Sequence, residues 1–259
     1  MDFVEKHLRI ARAELQLIHD VLKARQGRIL DLSGDAVILD RIYASHGRIR
    51  DAVVYDRDSG QGKLRDGLPE KILSQKYDLI VCAFKLHHIA VSSSRLPQRF
   101  LDEVSVVAAP GALMLILDVP AATRAAALAE AEIRDAALST ARFFTEVVDI
   151  HSMPGHGGEN ATAERTGHFG TYVDMPALMA QFQHAGWCSR VCAVRRCDWV
   201  FEHMGIAPAC RHIVDVFDLD RARESAWGAR LASMLVEEPG AIRFPWALDS
   251  ALLEFGGPA

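Results

Sequence analysis

The side chains in this sequence best able to move a proton are its histidines, and five of them fall into two groups. His87 and His88 stand side by side at the end of the apolar run Tyr77–Phe84. Such a pair can supply a base or line a pocket. It can equally begin a helix, with one ring buried and hydrogen-bonded and the other in solvent. The second group is His151, His156 and His168, in a stretch with five glycines, Pro154, Glu159 and Glu164. Three imidazoles and a carboxylate can ligate zinc, but a four-residue gap followed by an eleven-residue gap is no established metal spacing. No metal is therefore assigned. His168, with Phe169 and Tyr172 close by, is the first choice for a catalytic group, followed by His151 and His88. His156, Tyr172, Trp199 and Phe201 are candidates for the substrate side, although the last two could simply fill a core. Cys188 and Cys192 make one zinc-type pair, and Cys197 and Cys210 do not make a second, so scattered core thiols are expected.

These groups need elements to hold them. Apolar spacing from Phe3 to Gln26 predicts a long helix stopped by Gly27, a helical cap ahead of the main domain at 27–259. A buried strand follows at Arg28–Leu32 and closes on Ser33-Gly34-Asp35, then come a helix over Ala36–Ser45 and a strand over Asp51–Asp56. Tyr77–Phe84 is an emphatic strand and Leu96–Val107 a helix, after which Pro110-Gly111 turns the chain into a strand over Ala112–Val119. Near-continuous apolar strands alternating with helices predict an α/β fold with a mostly parallel sheet covered on both faces. Ala121–Ser139 reads as one helix and Met175–Ala185 as another ending at Gly186. Val191–Phe201 and Ile242–Leu252 read as late strands. The segment His151–Gly170 is too polar and Gly-rich to pack alone and reads as a lid or binding loop.

Composition sets bounds on partners. The chain has 259 residues, half of them apolar, and its charge is 29 − 34 = −5. That balance leaves nothing to hold a phosphate backbone, so no nucleic acid is expected. No apolar run reaches the roughly 18 residues of a membrane span, and the longest candidate, Val104–Val119, is interrupted by Pro110 and Gly111, which argues against a membrane. An N-terminus of Met-Asp-Phe-Val without a signal pattern, together with five cysteines, predicts reduced thiols in a cytoplasm.

The segment Tyr77-Asp78-Leu79-Ile80-Val81-Cys82-Ala83-Phe84-Lys85-Leu86-His87-His88 resembles the fourth strand of the class I S-adenosylmethionine-dependent methyltransferases. Phe100–Glu103, Pro110-Gly111 and Leu115–Asp118 are similar to the helix, turn and fifth strand that follow it, and Asp174–Trp187 to a late helix of the family. The resemblance implies a Rossmann-like sheet of seven strands, and it would place Cys197–Phe201 and Phe244–Trp246 on the last two. It implies a cofactor site as well. Asp31, Ser33 and Gly34 fall on the first motif, Asp56 on the acidic residue that accepts from the ribose hydroxyls, and Asp66 on the acidic residue beside the adenine. Cys82, Ala83 and Phe84 would line the same site. The family's alternating glycines fall here on Ser33, Asp35 and Val37, where side chains stand in place of bare backbone, so S-adenosylmethionine is expected to bind weakly or to have been lost.

The reading that follows is methyl transfer from S-adenosylmethionine to a small-molecule acceptor, in specialised metabolism. Two alternatives stay open: a non-methylating reaction such as cyclisation or elimination on the same ligand, and a pseudoenzyme that supports an active subunit. The chain is compatible with a homodimer or with a heteromer containing another biosynthetic subunit.

Overall fold

The computed structural model describes residues 27–32, 50–53, 67–92, 94–148, 172–216 and 224–256, together with Asp20 and Lys23. The expected cap helix, apart from those two residues, lies outside them, as do the helix over 36–45 and the stretch 151–170. The chain divides into two compact units. One comprises Met1–Val119, Thr171–Ala193 and Asp249–Ala259; the other comprises Pro120–Gly170 and Val194–Leu248.

The first unit is built on a sheet. Strands β1 (Ile29–Asp31), β2 (Arg50–Ala52), β3 (Tyr77–Ala83) and β4 (Ala108–Asp118) are mutually parallel where they pair. Adding β5 (Trp187–Arg196) and β9 (Ala247–Phe255) gives the order β2-β1-β3-β4-β9-β5. β9 runs antiparallel to β4, with Asp118 opposite Asp249. Six strands are present among the described residues rather than the seven expected.

Ile80–Ala83 and Leu113–Asp118 are buried throughout, which their apolar runs require because both faces of the sheet are covered. The Pro110-Gly111 turn is not ahead of the strand but inside it. Tyr77 pairs with Ala108 and Leu79 with Leu113, so Ala109–Ala112 bulge out, with Gly111 at φ +71°. The covering helices include α1 (Glu70–Leu73), α2 (Leu86–Ile89), α3 (Gln98–Val107) and, later in the chain, α6 (Met175–His184). α6 begins as its sequence predicts, with Asp174 accepting from the Ala177 N–H and Pro176 in the first turn. It ends at Gly186, whose φ of +90° few other residues adopt.

In the second unit the alanine-rich stretch forms two helices, α4 (Ala122–Ala126) and α5 (Ala131–Phe143), where one was expected. Alanine propensity alone would carry the helix through. Instead the chain turns at Ala127–Glu130, and Leu128 and Ile133 pack with Ala125, Ala136 and Ala137, so tertiary burial overrides local preference. A π-helical turn, Phe144–Val148, continues α5.

The unit also holds a three-stranded sheet, β6 (Trp199–Glu202), β8 (Ala241–Phe244) and β7 (Val236–Glu238), in that spatial order. Helices α7 (Ile206–Val216) and α8 (Glu224–Met234) lie between β6 and β7 in the chain. Cys197–Phe201 and Phe244–Trp246 therefore do not lie on the last two strands of the main sheet. Those are β5 and β9, and Trp199 pairs with Phe244 in the small sheet instead. Asp198 fixes this departure: its carboxylate takes bonds from Arg196 at 2.6 Å, Arg243 at 3.1 Å and the Trp246 N–H at 3.2 Å.

Candidate functional site

From β1 the chain goes to β2 on one side, and from β3 to β4 on the other. The order reverses between β1 and β3, and in open α/β sheets ligands bind beyond the carboxyl ends of the strands at such a reversal. Three strand ends meet this description. Asp31 closes β1 and is fully buried; its carbonyl accepts the Val53 N–H at 2.8 Å, and the next N–H, of Leu32, is donated to Val81 at 2.8 Å. Ala83 closes β3, and the Phe84 N–H is donated to the Leu117 carbonyl at 2.7 Å. Phe84 has φ +53°, a left-handed conformation that is uncommon for a bulky residue and costs about 1–2 kcal/mol. That strain turns the chain sharply from β3 into α2. Backbone outliers of this kind cluster at functional sites.

Asp118 closes β4, and its carboxylate is used heavily. Its Oδ2 accepts the backbone N–H of His87 at 3.0 Å, satisfying a donor in the first turn of α2, which has no side-chain cap of its own. Its Oδ1 accepts the Val119 N–H at 2.7 Å and lies 2.6 Å from His87 Nδ1. Because both carboxylate oxygens already accept backbone N–H groups, the proton between Oδ1 and Nδ1 belongs to the imidazole. An imidazole that meets a carboxylate in this way has its ring orientation fixed by the contact. The pair is buried, with His87 5% and Asp118 0% exposed. The ring of Tyr172 lies 5.9 Å from that of His87, tilted by 36°. Asp249, opposite Asp118 across the β4–β9 ladder, is a second fully buried carboxyl.

Cys82 is fully buried one residue before the end of β3. Burial first, then the charges of Asp118 and Asp31, push its thiol far up against a smaller opposing effect of Lys85. A buried thiol raised in this way has little thiolate character. Among the described residues no group of three or more His, Cys, Asp or Glu side chains could hold a metal, and all five cysteines are free thiols.

The residues expected to act together are thus divided. Asp31, Cys82, Ala83 and Phe84 gather at the carboxyl ends of β1 and β3, and Tyr172 stands beside His87. His88 follows His87 on α2. Ser33, Gly34, Asp56, Asp66, His151, His156 and His168 lie outside the described residues. Trp199 and Phe201 belong to the second unit, 5% and 8% exposed; Trp199 lies 6.2 Å from Phe244 and 5.7 Å from Trp246, inside an aromatic core. Sequence reasoning passed over the pairing of His87 with Asp118. Its one trace was a charged residue ending the otherwise apolar run Ala112–Leu117.

The reversal point, the carboxyl-edge aspartates and the antiparallel strand placed beside β4 together settle the fold. It is a Rossmann-like α/β fold. No protein-family model and no curated protein matches the sequence. Solved structures do. The YcgJ protein of Bacillus subtilis is similar over 95% of this chain and 100% of its own, with 12% identity and a TM-score of 0.46. An S-adenosylmethionine-dependent methyltransferase from Thermotoga maritima is similar over 98% and 94%, with 12% identity and a TM-score of 0.39. A cyclopropane synthase from Mycobacterium tuberculosis is similar over 88% and 78%, with 9% identity and a TM-score of 0.46. At such identities and TM-scores the strand order, and not the likeness, carries the fold assignment.

Proposed function

We propose that this protein transfers the methyl group of S-adenosylmethionine to a small-molecule acceptor in specialised metabolism. The observation that carries the reading is the strand reversal between β1 and β3, with the buried Asp31 carboxylate at one lip and the left-handed Phe84 backbone at the other. Two features of the described residues support such a cofactor. A buried anion favours a ligand rich in hydroxyl and ammonium donors, and Ala83 at the end of β3 carries only a methyl side chain.

Asp31, Ala83 and Phe84 would hold the cofactor from these two strands, and the sequence resemblance assigns Ser33, Gly34 and Asp66 to the same role and Asp56 to the ribose. The cofactor supplies an electrophilic methyl group. The protein's part is to align the acceptor with that carbon and exclude water; alignment of this kind contributes about 7–11 kcal/mol. The acidic balance of the chain supports a small acceptor over a nucleic acid. No described helix is long and apolar enough to cross a membrane.

Calorimetry with S-adenosylmethionine and S-adenosylhomocysteine tests the reading. Side chains at Ser33, Asp35 and Val37, where the sequence resemblance implies glycine, lead us to expect dissociation constants of roughly tens of micromolar. Absence of binding at millimolar ligand by folded protein would leave only a structural role.

A further inference from the structure

We propose that Glu103, on α3, is a positioning residue for the adenosyl ligand: it fixes the point at which the connection carrying Asp56 and Asp66 returns to α1. The inference rests on the methyl-transfer reading, which gives those two aspartates the ribose and the adenine, and deepens it.

Glu103 is an acid on the packed face of a helix, 8% exposed, in a row of buried residues that includes Phe100, Val104 and Val107. Its Oε2 accepts the Leu68 N–H at 2.9 Å, across 35 residues of chain, and its Oε1 accepts the Arg99 Nε–H at 2.7 Å from one helical turn earlier. Gly67 permits this approach. It has φ +82°, and a Cβ placed on it would lie 2.6 Å from both Glu103 Oε2 and an Arg99 guanidinium nitrogen, far inside contact distance.

Leu68 needs no carboxylate to stay in place, because it shares one apolar core with Ile72, Phe100 and Val104. A buried acid is also a costly way to satisfy a single N–H. What the carboxylate adds is a fixed backbone at Gly67-Leu68, and Asp66 is the next residue back along the chain. A bond that fixes one end of a connection narrows the conformations open to the acids on it, so less ordering is left for the ligand to impose.

Two variants separate this role from a structural one. Glu103→Leu suits the buried position and removes the acceptor, whereas Glu103→Gln keeps an acceptor oxygen for Leu68 and gives up the charge. The probes are S-adenosylhomocysteine and S-inosylhomocysteine, which has an oxo group in place of the adenine amino group. By calorimetry, wild type should favour the adenosyl ligand by about tenfold or more. Glu103→Leu should lose about tenfold for the adenosyl ligand and less than about threefold for the inosyl one, and Glu103→Gln should stay within about threefold of wild type for both.

A merely structural role would weaken both ligands together in Glu103→Leu, and that result overturns the proposal. Equal binding of the two ligands by wild type does the same, as does a Glu103→Gln as weak as Glu103→Leu, which would assign the effect to the charge pair with Arg99. Should Glu103→Leu not fold, hydrogen exchange on wild type decides. Adding S-adenosylhomocysteine should slow the Leu68 amide more than that of Ile80 in β3, and equal slowing counts against the clamp. Failure of wild type to bind either ligand would remove the methyl-transfer reading and the proposal with it. Normal wild-type binding with an unimpaired Glu103→Leu would remove the role of Glu103 alone.

Discussion

The two units bury different things. At the carboxyl edge of its sheet the first unit buries Asp31, His87, Asp118 and Asp249, each at 5% exposure or less. The second buries rings: Phe143, Phe144, Trp199, Phe244 and Trp246 stand with neighbouring centroids between about 5 and 6 Å apart. Its principal charge cluster, Asp198 with Arg196 and Arg243, keeps the arginine side chains about a quarter exposed. Buried polar groups are expensive unless satisfied, and a fold can usually be stabilised more simply by apolar packing. A sheet edge that carries several of them is arranged for something other than stability. An aromatic core needs no such explanation.

The largest expected effect tests the aromatic side of this contrast. Trp246→Ala removes a fully buried ring that meets Phe143, Phe144, Trp199 and Phe244, and should destabilise by about 3–5 kcal/mol in chemical denaturation. A loss below about 1 kcal/mol would mean that the second unit is held by something else. Next comes the polar edge. Asp118→Asn keeps the shape but replaces charged acceptors with a neutral amide, and should cost about 1–3 kcal/mol. The contrast sharpens if catalysis falls far more than that stability loss explains.

Binding supplies the third test. Asp56→Ala should weaken S-adenosylhomocysteine at least tenfold by calorimetry, about 1.4 kcal/mol, while the melting transition of the free protein stays in place. An unchanged constant would move the ribose role to Asp58 or remove it.

The smallest effect concerns Asp198. Burial pushes its carboxyl up, but the bonds from Arg196, the Trp246 N–H and Arg243, with the Arg196 charge, outweigh burial and hold it below the ordinary aspartate value of 3.8. A carboxyl whose folded-state pKa is depressed contributes stability that is present above the unfolded value and lost as the pH falls through the folded one. Wild type should therefore exceed Asp198→Asn by about 1 kcal/mol at pH 7, since the cluster is partly solvated, and the difference should shrink below pH 4. A constant difference across that range would show that the charge contributes nothing.

Much of the first unit is legible in the sequence because its signals are local. Leu79–Ala83 and Leu113–Leu117 are apolar at every position, and Asp174-Met175-Pro176 followed by Ala185-Gly186 brackets a helix with its own start and stop. The second unit is less legible for the opposite reason. Nothing within Ala121–Ser139 reveals that Leu128 will be turned inward, and nothing within Cys197–Phe201 reveals that Asp198 will meet Arg243 from 45 residues away. The histidine pair is visible as chemistry, but the contact of His87 with Asp118 is not, because its partner lies 31 residues downstream.

By itself the sequence determined the α/β class, the parallel strands, the ends of α6 and the kinds of group available for chemistry. These follow from periodicity, capping and side-chain type, which act over a few residues. Only the tertiary structure decided that β4 would end beside α2, that Asp118 would take both the backbone and the ring of His87, and that Trp199 would enter a core. Those outcomes depend on which strand ends are brought side by side, and strand pairing joins residues whose spacing along the chain carries no pattern of its own.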